Sequence, residues 1–234
     1  MKDNFPRVAR SHSRTLLLLA ALLLGGAACR GPSPLKLHYL PGFVAGSERI
    51  YAPAKIAVVE PAGQLASGRF EIGGIYGDDG SDRARLYIED FGATLNTAML
   101  RALTDAGLEP AAIESAPADG EPPDGIDFML TVSIDAVSVD KRFTTEQTIH
   151  GQYFRMKSEV QLTFALTARG AAAPIKGEAL GLEEEPPAPV GGEVFLPLET
   201  EPAESLSVAL SRAVGELVTE PRFRAVLPAA AATS

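Results

Sequence analysis

The sequence predicts an α+β fold: a single domain in which two amphipathic helices pack on one face of a mixed, mostly antiparallel sheet, in the order β-α-β-β-β-β-α. Two apolar stripes with helical spacing and two long runs with a period of two carry this expectation. Layering both helices on one face of the sheet would bury every apolar stripe in the chain.

Taken in order, Lys55-Ile56-Ala57-Val58-Val59-Glu60 is a short apolar run stopped by Pro61, which reads as a buried strand. The glycine-rich stretch from Gly73 to Gly80 reads as a loop. A helix is predicted from about Leu86 to Ala106. Its Ile88, Phe91, Leu95, Ala98, Met99, Ala102 and Leu103 recur every three or four positions and share one face. Gly107 supplies the left-handed cap that stops it, and Leu108 to Ile113 reads as a short strand.

After the turn-rich Pro122-Pro123-Asp124-Gly125 the period changes to two. Phe128, Leu130, Val132 and Ile134 face one way, and Thr131, Ser133 and Asp135 the other. Val137 and Val139 fall out of phase, so a bulge or bend is predicted there. Val160, Leu162, Phe164 and Leu166 mark a second alternating strand, extended from Thr148 onward, and Ile175 to Leu182 a last one at an edge. Residues 183–202, acidic and rich in proline, read as a loop. The closing helix opens near Thr200 or Glu201 with Pro202 in its first turn. Leu206, Ala209, Leu210, Ala213, Val214, Leu217 and Val218 form its stripe, and Pro221 ends it.

The N-terminus has a different grammar. Lys2, Arg7, Arg10 and Arg14 precede an apolar run from Thr15 to Leu24, then the small residues Gly25-Gly26-Ala27-Ala28, then Cys29. This is the pattern of a lipoprotein signal peptide, residues 1–28, cleaved between Ala28 and Cys29 so that Cys29 receives lipid. From Thr15 to Ala28 the stretch is shorter than the ~20 residues a membrane-crossing helix needs. An ordinary secretory signal cut before Cys29 is the rival, since Gly26 and Ala28 suit a small-x-small site. It would leave the chain's one cysteine as an unpaired thiol in an oxidising compartment. Residues 29–54, with Pro32, Pro34, Pro41 and Pro53, read as the lipidated cysteine and an extended tether. Within it Leu35 to Leu40 alternates like an edge strand. Residues 55–227 form the domain and 228–234 a disordered tail.

Composition narrows the chemistry. The whole chain carries a formal charge of −9, and removal of residues 1–28 makes the remainder more acidic. Such a chain is repelled by phosphate backbones, so no nucleic-acid partner is expected. Beyond Cys29 there is no cysteine, and beyond residue 28 only His38 and His150, both expected in solvent. No Gly-x-Ser-x-Gly elbow is present. The Gly73–Gly80 loop lacks both phosphate-binding spacings, and Asp78, Asp79 and Asp82 lack the spacing of a twelve-residue calcium loop. No catalytic, cofactor-binding or metal residue is assigned, and no enzyme is expected.

Cys29, His38-Tyr39-Leu40-Pro41, Ile56 to Pro61, the Leu95–Leu108 helix end, Asp127-Phe128-Met129-Leu130 and the closing helix together resemble the ABC-type transport auxiliary lipoproteins of Gram-negative bacteria. The YajG-like lipoproteins are similar in element order. The resemblance implies diacylglycerol and N-acyl lipid on Cys29 and no other cofactor. Arg30 stands where an inner-membrane lipoprotein has Asp, which implies an outer-membrane location facing the periplasm. It also implies a non-catalytic role, with membrane lipid and the proteins of an envelope transport complex as partners. A YajG-like lipoprotein would instead bind an apolar ligand in a groove between helix and sheet.

Because two or more acyl chains give stable attachment and none gives no anchor, Cys29→Ala is expected to move the protein from the membrane pellet to the soluble fraction. Fractionation, with intact mass measured on both forms, checks this.

Overall fold

One long strand organises the sheet. In the computed structural model, which describes residues 32–42, 50–144, 153–189 and 200–229, β5 (Phe128–Thr144) pairs with three others. Its start, Phe128–Thr131, lies parallel to β1 (Lys55–Val59), and its end, Val139–Arg142, lies parallel to β2 (Arg69–Tyr76). Its whole length is antiparallel to β6 (Tyr153–Ala168), which in turn pairs antiparallel with β7 (Ile175–Pro189). β3 (Asp82–Glu89) closes one side as the antiparallel partner of β2, and β4 (Glu109–Ile113) lies parallel to β1. The result is one seven-stranded sheet whose longest ladders are antiparallel. The bulge predicted near Val137 is a register shift between Ile134 and Ala136, midway between the two parallel pairings.

Two helices cover one face. α1 (Phe91–Asp105) buries Phe91, Leu95, Ala98, Met99, Ala102 and Leu103, the residues of its predicted stripe. α2 (Thr200–Thr219) buries Leu206, Ala209, Leu210, Ala213, Val214, Leu217 and Val218 with no exposed surface at all. It lies across β6 and β7 and touches α1. The approach is closest at Gly181: a Cβ there would stand 1.7 Å from the Ala209 carbonyl oxygen, so only glycine lets helix and strand meet. A short α3 (Pro221–Val226), capped by the Glu220 carboxylate, adds Phe223 to the same core, edge-on to Phe164 at 5.8 Å. On the opposite face Ala57, Val59 and Met129 form a small second cluster with Ile113 and Ile126.

The segment expected to be an open tether is laced to the domain. Leu35 N–H donates to the Tyr87 carbonyl at 2.7 Å, a single bridge to β3 in place of a continuous strand. His38 and Leu40 N–H donate to the hydroxyls of Ser207 and Ser211 on α2, at 3.2 and 2.8 Å. Tyr39 is buried between them in sequence. Further on, Ile50 and Tyr51 N–H both donate to the Ala106 carbonyl, and the Tyr51 hydroxyl donates to the Val218 carbonyl. At the far end Ala52 N–H donates to the Pro228 carbonyl and Ala229 bridges Tyr51, so Pro228 and Ala229 are held to the domain rather than frayed.

Three other expectations change. Between β1 and α1 the order gains two strands. The Gly73–Gly80 loop resolves into the end of β2 and a tight turn, in which Gly77 N–H donates to the Ser81 carbonyl. Leu86 to Glu89, assigned to the first turn of a helix, belongs to β3. Asp90, in the left-handed conformation at φ 48°, turns the chain straight into α1. Finally, β7 continues through the acidic stretch to Pro189, because prolines are tolerated on an edge strand whose outer N–H groups need no ladder partner. Ala28, Cys29, the signal peptide, His150 and residues 190–199 lie outside the described residues.

Burial pushes the Tyr51 phenol up from 10.0 to about 12, and raises that of Tyr39 as well, aided by the Asp105 charge. Unfolded, both phenols ionise near pH 10, so the stability tied to the neutral phenols is complete below pH 10. It is lost as pH rises towards about 12. For Tyr51 the loss is on the order of 2 kcal/mol. Chemical denaturation from pH 9 to 12 checks this; Tyr51→Phe is expected to flatten the decline while lowering stability at pH 7 by about 1 kcal/mol for the lost hydrogen bond.

Candidate functional site

Polar groups concentrate in three places, and their surroundings separate structural from exposed roles. The first is a polar layer at the end of the core. The apolar row of β5 continues past Val139 to Lys141, whose side chain is 4% exposed and pairs with Glu201 in the first turn of α2. Its ammonium also lies 4.4 Å from the Phe154 ring centre and 5.9 Å from that of Phe143. Beside it in the ladder Ser158 is fully buried and shares a hydrogen bond of 2.8 Å with Ser205. A buried cation needs a charge partner and the aromatic faces supply more. This cluster ties the start of α2 to the β5–β6 hairpin.

The second place is the outer edge of β7. Leu180 N–H donates to the Glu216 carboxylate at 2.9 Å, and the Leu182 and Lys176 carbonyls accept from Arg212 and Arg222. Side chains of α2 and α3 thus occupy three of the backbone groups, between Lys176 and Leu182, through which a further strand would add. The other edges are also obstructed: β4 is five residues long and contains Pro110, and Leu35 lies on β3.

The third place is the face of β5, β6 and β7 that the helices leave open. Thr131 and Ser133, Thr163 and Ala165, and Lys176 and Glu178 alternate with the buried Leu130, Val132, Leu162 and Phe164. They line a groove of about 810 Å³ that Glu220 and Arg222 reach around the β7 edge. Leu180, two residues beyond Glu178 on the same strand, is 47% exposed, the large apolar side chain left in solvent among the described residues. A wall of short hydroxyl groups, two charges of each sign and a neighbouring apolar residue suits contact with a polar surface. Among the described residues no histidine or cysteine lines it.

The residues singled out from the sequence do not converge. His38 is exposed on the segment over α2. Asp78 and Asp79 sit in the β2–β3 turn, where Asp79 accepts from the Ser81 N–H and hydroxyl, which holds its carboxyl below the usual value; Asp82 pairs with Arg85. Among the described residues no group of His, Cys, Asp or Glu is placed to hold a metal ion, and no helix is long and apolar enough to cross a membrane. Sequence reasoning missed Lys141–Glu201 and the α2 serines. The serines did leave a signal: Ser205, Ser207 and Ser211 are small polar residues set among the stripe residues Leu206, Ala209 and Leu210.

No protein-family model and no curated protein matches the chain. Among solved structures it is similar to a Xanthomonas campestris protein of the DUF330 family, 12% identical over 83% of this chain and 95% of that one, TM-score 0.45. A Helicobacter pylori homologue of a neuraminyllactose-binding haemagglutinin aligns at 10% identity over 81% and 90%, TM-score 0.37. The PelC dodecamer from Paraburkholderia phytofirmans aligns at 16% over 72% and 93%, TM-score 0.29. Nothing of what those proteins do is carried to this chain by values of this size.

Stranding the buried Lys141 charge costs more than replacing that charge with an apolar side chain of similar shape, which leaves only the part-exposed Glu201 unpaired. Glu201→Gln is therefore expected to destabilise the fold by about 1–3 kcal/mol, while Lys141→Met stays within about 1 kcal/mol of the parent. Urea titrations of both variants check the order.

Proposed function

We propose that this chain is a lipid-anchored, non-catalytic accessory module of an envelope transport or maintenance complex, attached through Cys29 and facing the periplasm from the outer membrane. The open β5–β6–β7 face is where the partner docks. The observation that carries this reading is the contrast between that face and everything around it. Among the described residues its groove is uncovered and lined by no histidine or cysteine, while Arg212, Glu216, Arg222 and Leu35 occupy parts of the strand edges. Side-chain contact across the face is therefore favoured over strand addition. The resemblance to ABC-type transport auxiliary lipoproteins supplies the class of partner: a transporter or its substrate-binding subunit.

The helix–sheet interface weighs against the YajG-like alternative. The stripe of α2 has no exposed surface, and Gly181 leaves no space for even a methyl group against Ala209. An apolar ligand would have to displace packed side chains there.

Affinity capture of the lipidated protein, with Thr163→Arg and Leu180→Glu as face variants, tests the proposal. The parent is expected to recover an inner-membrane transporter or its binding subunit, and each variant about tenfold less, the consequence of a charge forced into a contact surface. Recovery of abundant lipoproteins alone, or equal recovery by all three proteins, would overturn it.

A further inference from the structure

We infer that the open sheet face carries, at the end away from its groove, a carboxylate-binding site made by Arg142 and Arg155, and that the partner docked on the face presents an acidic segment there. This rests on the docking reading for the class of occupant, a protein, and adds the chemistry of its contact.

Along β6 the open face consists of alternate residues, from Thr163 at the groove through Gln161, Glu159 and Lys157 to Arg155. Between them Leu162, Val160, Ser158 and Met156 are buried. At about 3.4 Å per residue the run from Thr163 to Arg155 covers roughly 27 Å. Arg142 is directly opposite Arg155 in the antiparallel ladder, and Tyr76 on β2 is the parallel partner of Arg142. The three side chains form one row across β2, β5 and β6. The Arg142 side chain is 68% exposed, and Arg155 is exposed as well.

Two like charges facing each other across a ladder, with Cα atoms about 5 Å apart, are unfavourable. The neighbouring acids answer them in part. Asp140, on the same strand as Arg142, accepts from its Nε at 3.0 Å and its Nη2 at 2.8 Å, and Glu159 pairs with Lys157 at 3.2 Å. Among the described residues no ion pair holds Arg155. Arg142 is also fixed from the side: its guanidinium carbon lies 5.7 Å from the Tyr76 ring centre. That ring folds back over Gly74, where a Cβ would stand 3.2 Å from it. The row therefore presents one guanidinium held in place and, opposite it, one without an acid. A carboxylate seated between them meets planar N–H forks from two sides and removes the repulsion.

The charge of the chain sharpens the choice of occupant. At −9 it repels acidic surfaces at long range, so an acidic group is held where a local cation lacks its own acid. Lipid surfaces are recognised by clusters of about 4–8 basic residues. Here Asp140 and Glu159 already neutralise Arg142 and Lys157. A single matched carboxylate gains more from this row than a bilayer does. Tyrosine and arginine are also the residue types that dominate binding energy at protein interfaces.

Fluorescence anisotropy of a dye-labelled hexaglutamate peptide, titrated with the full lipoprotein in neutral detergent micelles, tests the site. Saturable binding that weakens as salt rises is expected. Arg155→Ala and Arg142→Ala are each expected to lower the affinity about fivefold, the upper end for an exposed ion pair. Asp140→Asn, which releases Arg142, is expected to raise it by a similar factor, and Arg101→Ala on the exposed side of α1 to leave it unchanged. Unchanged affinity in Arg155→Ala would overturn the site. Displacement of the peptide by short-chain phosphatidylglycerol as effectively as by unlabelled hexaglutamate would overturn the acidic-segment assignment in favour of a lipid headgroup. A flat titration, with Thr163→Arg still impaired in affinity capture, would overturn the arginine site and leave the docking reading standing. Saturable, Arg155-dependent binding with capture equal across the face variants would support the site and overturn the docking reading.

Discussion

The pairing of β5 with three partners is the constraint on which the architecture rests. One edge of this strand is divided between β1 and β2, and the other is committed along its length to β6. A single straight ribbon cannot serve two neighbours that arrive from different parts of the chain. The bulge after Ile134 adds the extra residue and local twist that separate the two pairings. It also restores the side-chain phase, so Val139 and Lys141 face the helices as Leu130 and Val132 do. The core and the polar layer at its end are continuous because of that one inserted residue.

α2 is the second organising element, and its composition reflects its neighbours. Its apolar stripe meets β6, β7 and α1, while Ser207 and Ser211 turn towards the N-terminal segment. Each of those hydroxyls also donates to a carbonyl one turn earlier, at Ala203 and Ser207, so a buried hydroxyl satisfies two groups at once. Glu201 at its start compensates the buried Lys141, a position where the helix dipole already favours negative charge. The polar residues of this helix are thus distributed by what each neighbour requires.

Much of this was legible beforehand. The stripes of α1 and α2 and the alternation in β5 and β6 are long enough that period alone fixed their type and buried faces. The β2–β3 hairpin was not, because Gly73 and Gly74 lie inside a strand. Gly73, at φ 139°, occupies a register shift where a Cβ would collide with the Val139 carbonyl, so the glycines mark close backbone approach and were read as a loop. β7 hid its second half in acids and prolines, which a strand accepts only where one edge is free. The lacing of residues 34–40 left almost no local trace, since backbone N–H groups carry it and any residue but proline has one. Lys141 and Glu201, 60 residues apart, meet only through the tertiary fold.

The side chains along β7 have a consequence for crowding. An edge of this length is a template on which a second copy could zip, and molecules confined to a surface encounter one another side by side far more often than in free solution. Because Lys176, Leu180 and Leu182 already have intramolecular partners, such ribbon growth must first break three contacts in each copy. Along Lys176–Leu182 the sheets of neighbouring copies cannot merge without that loss.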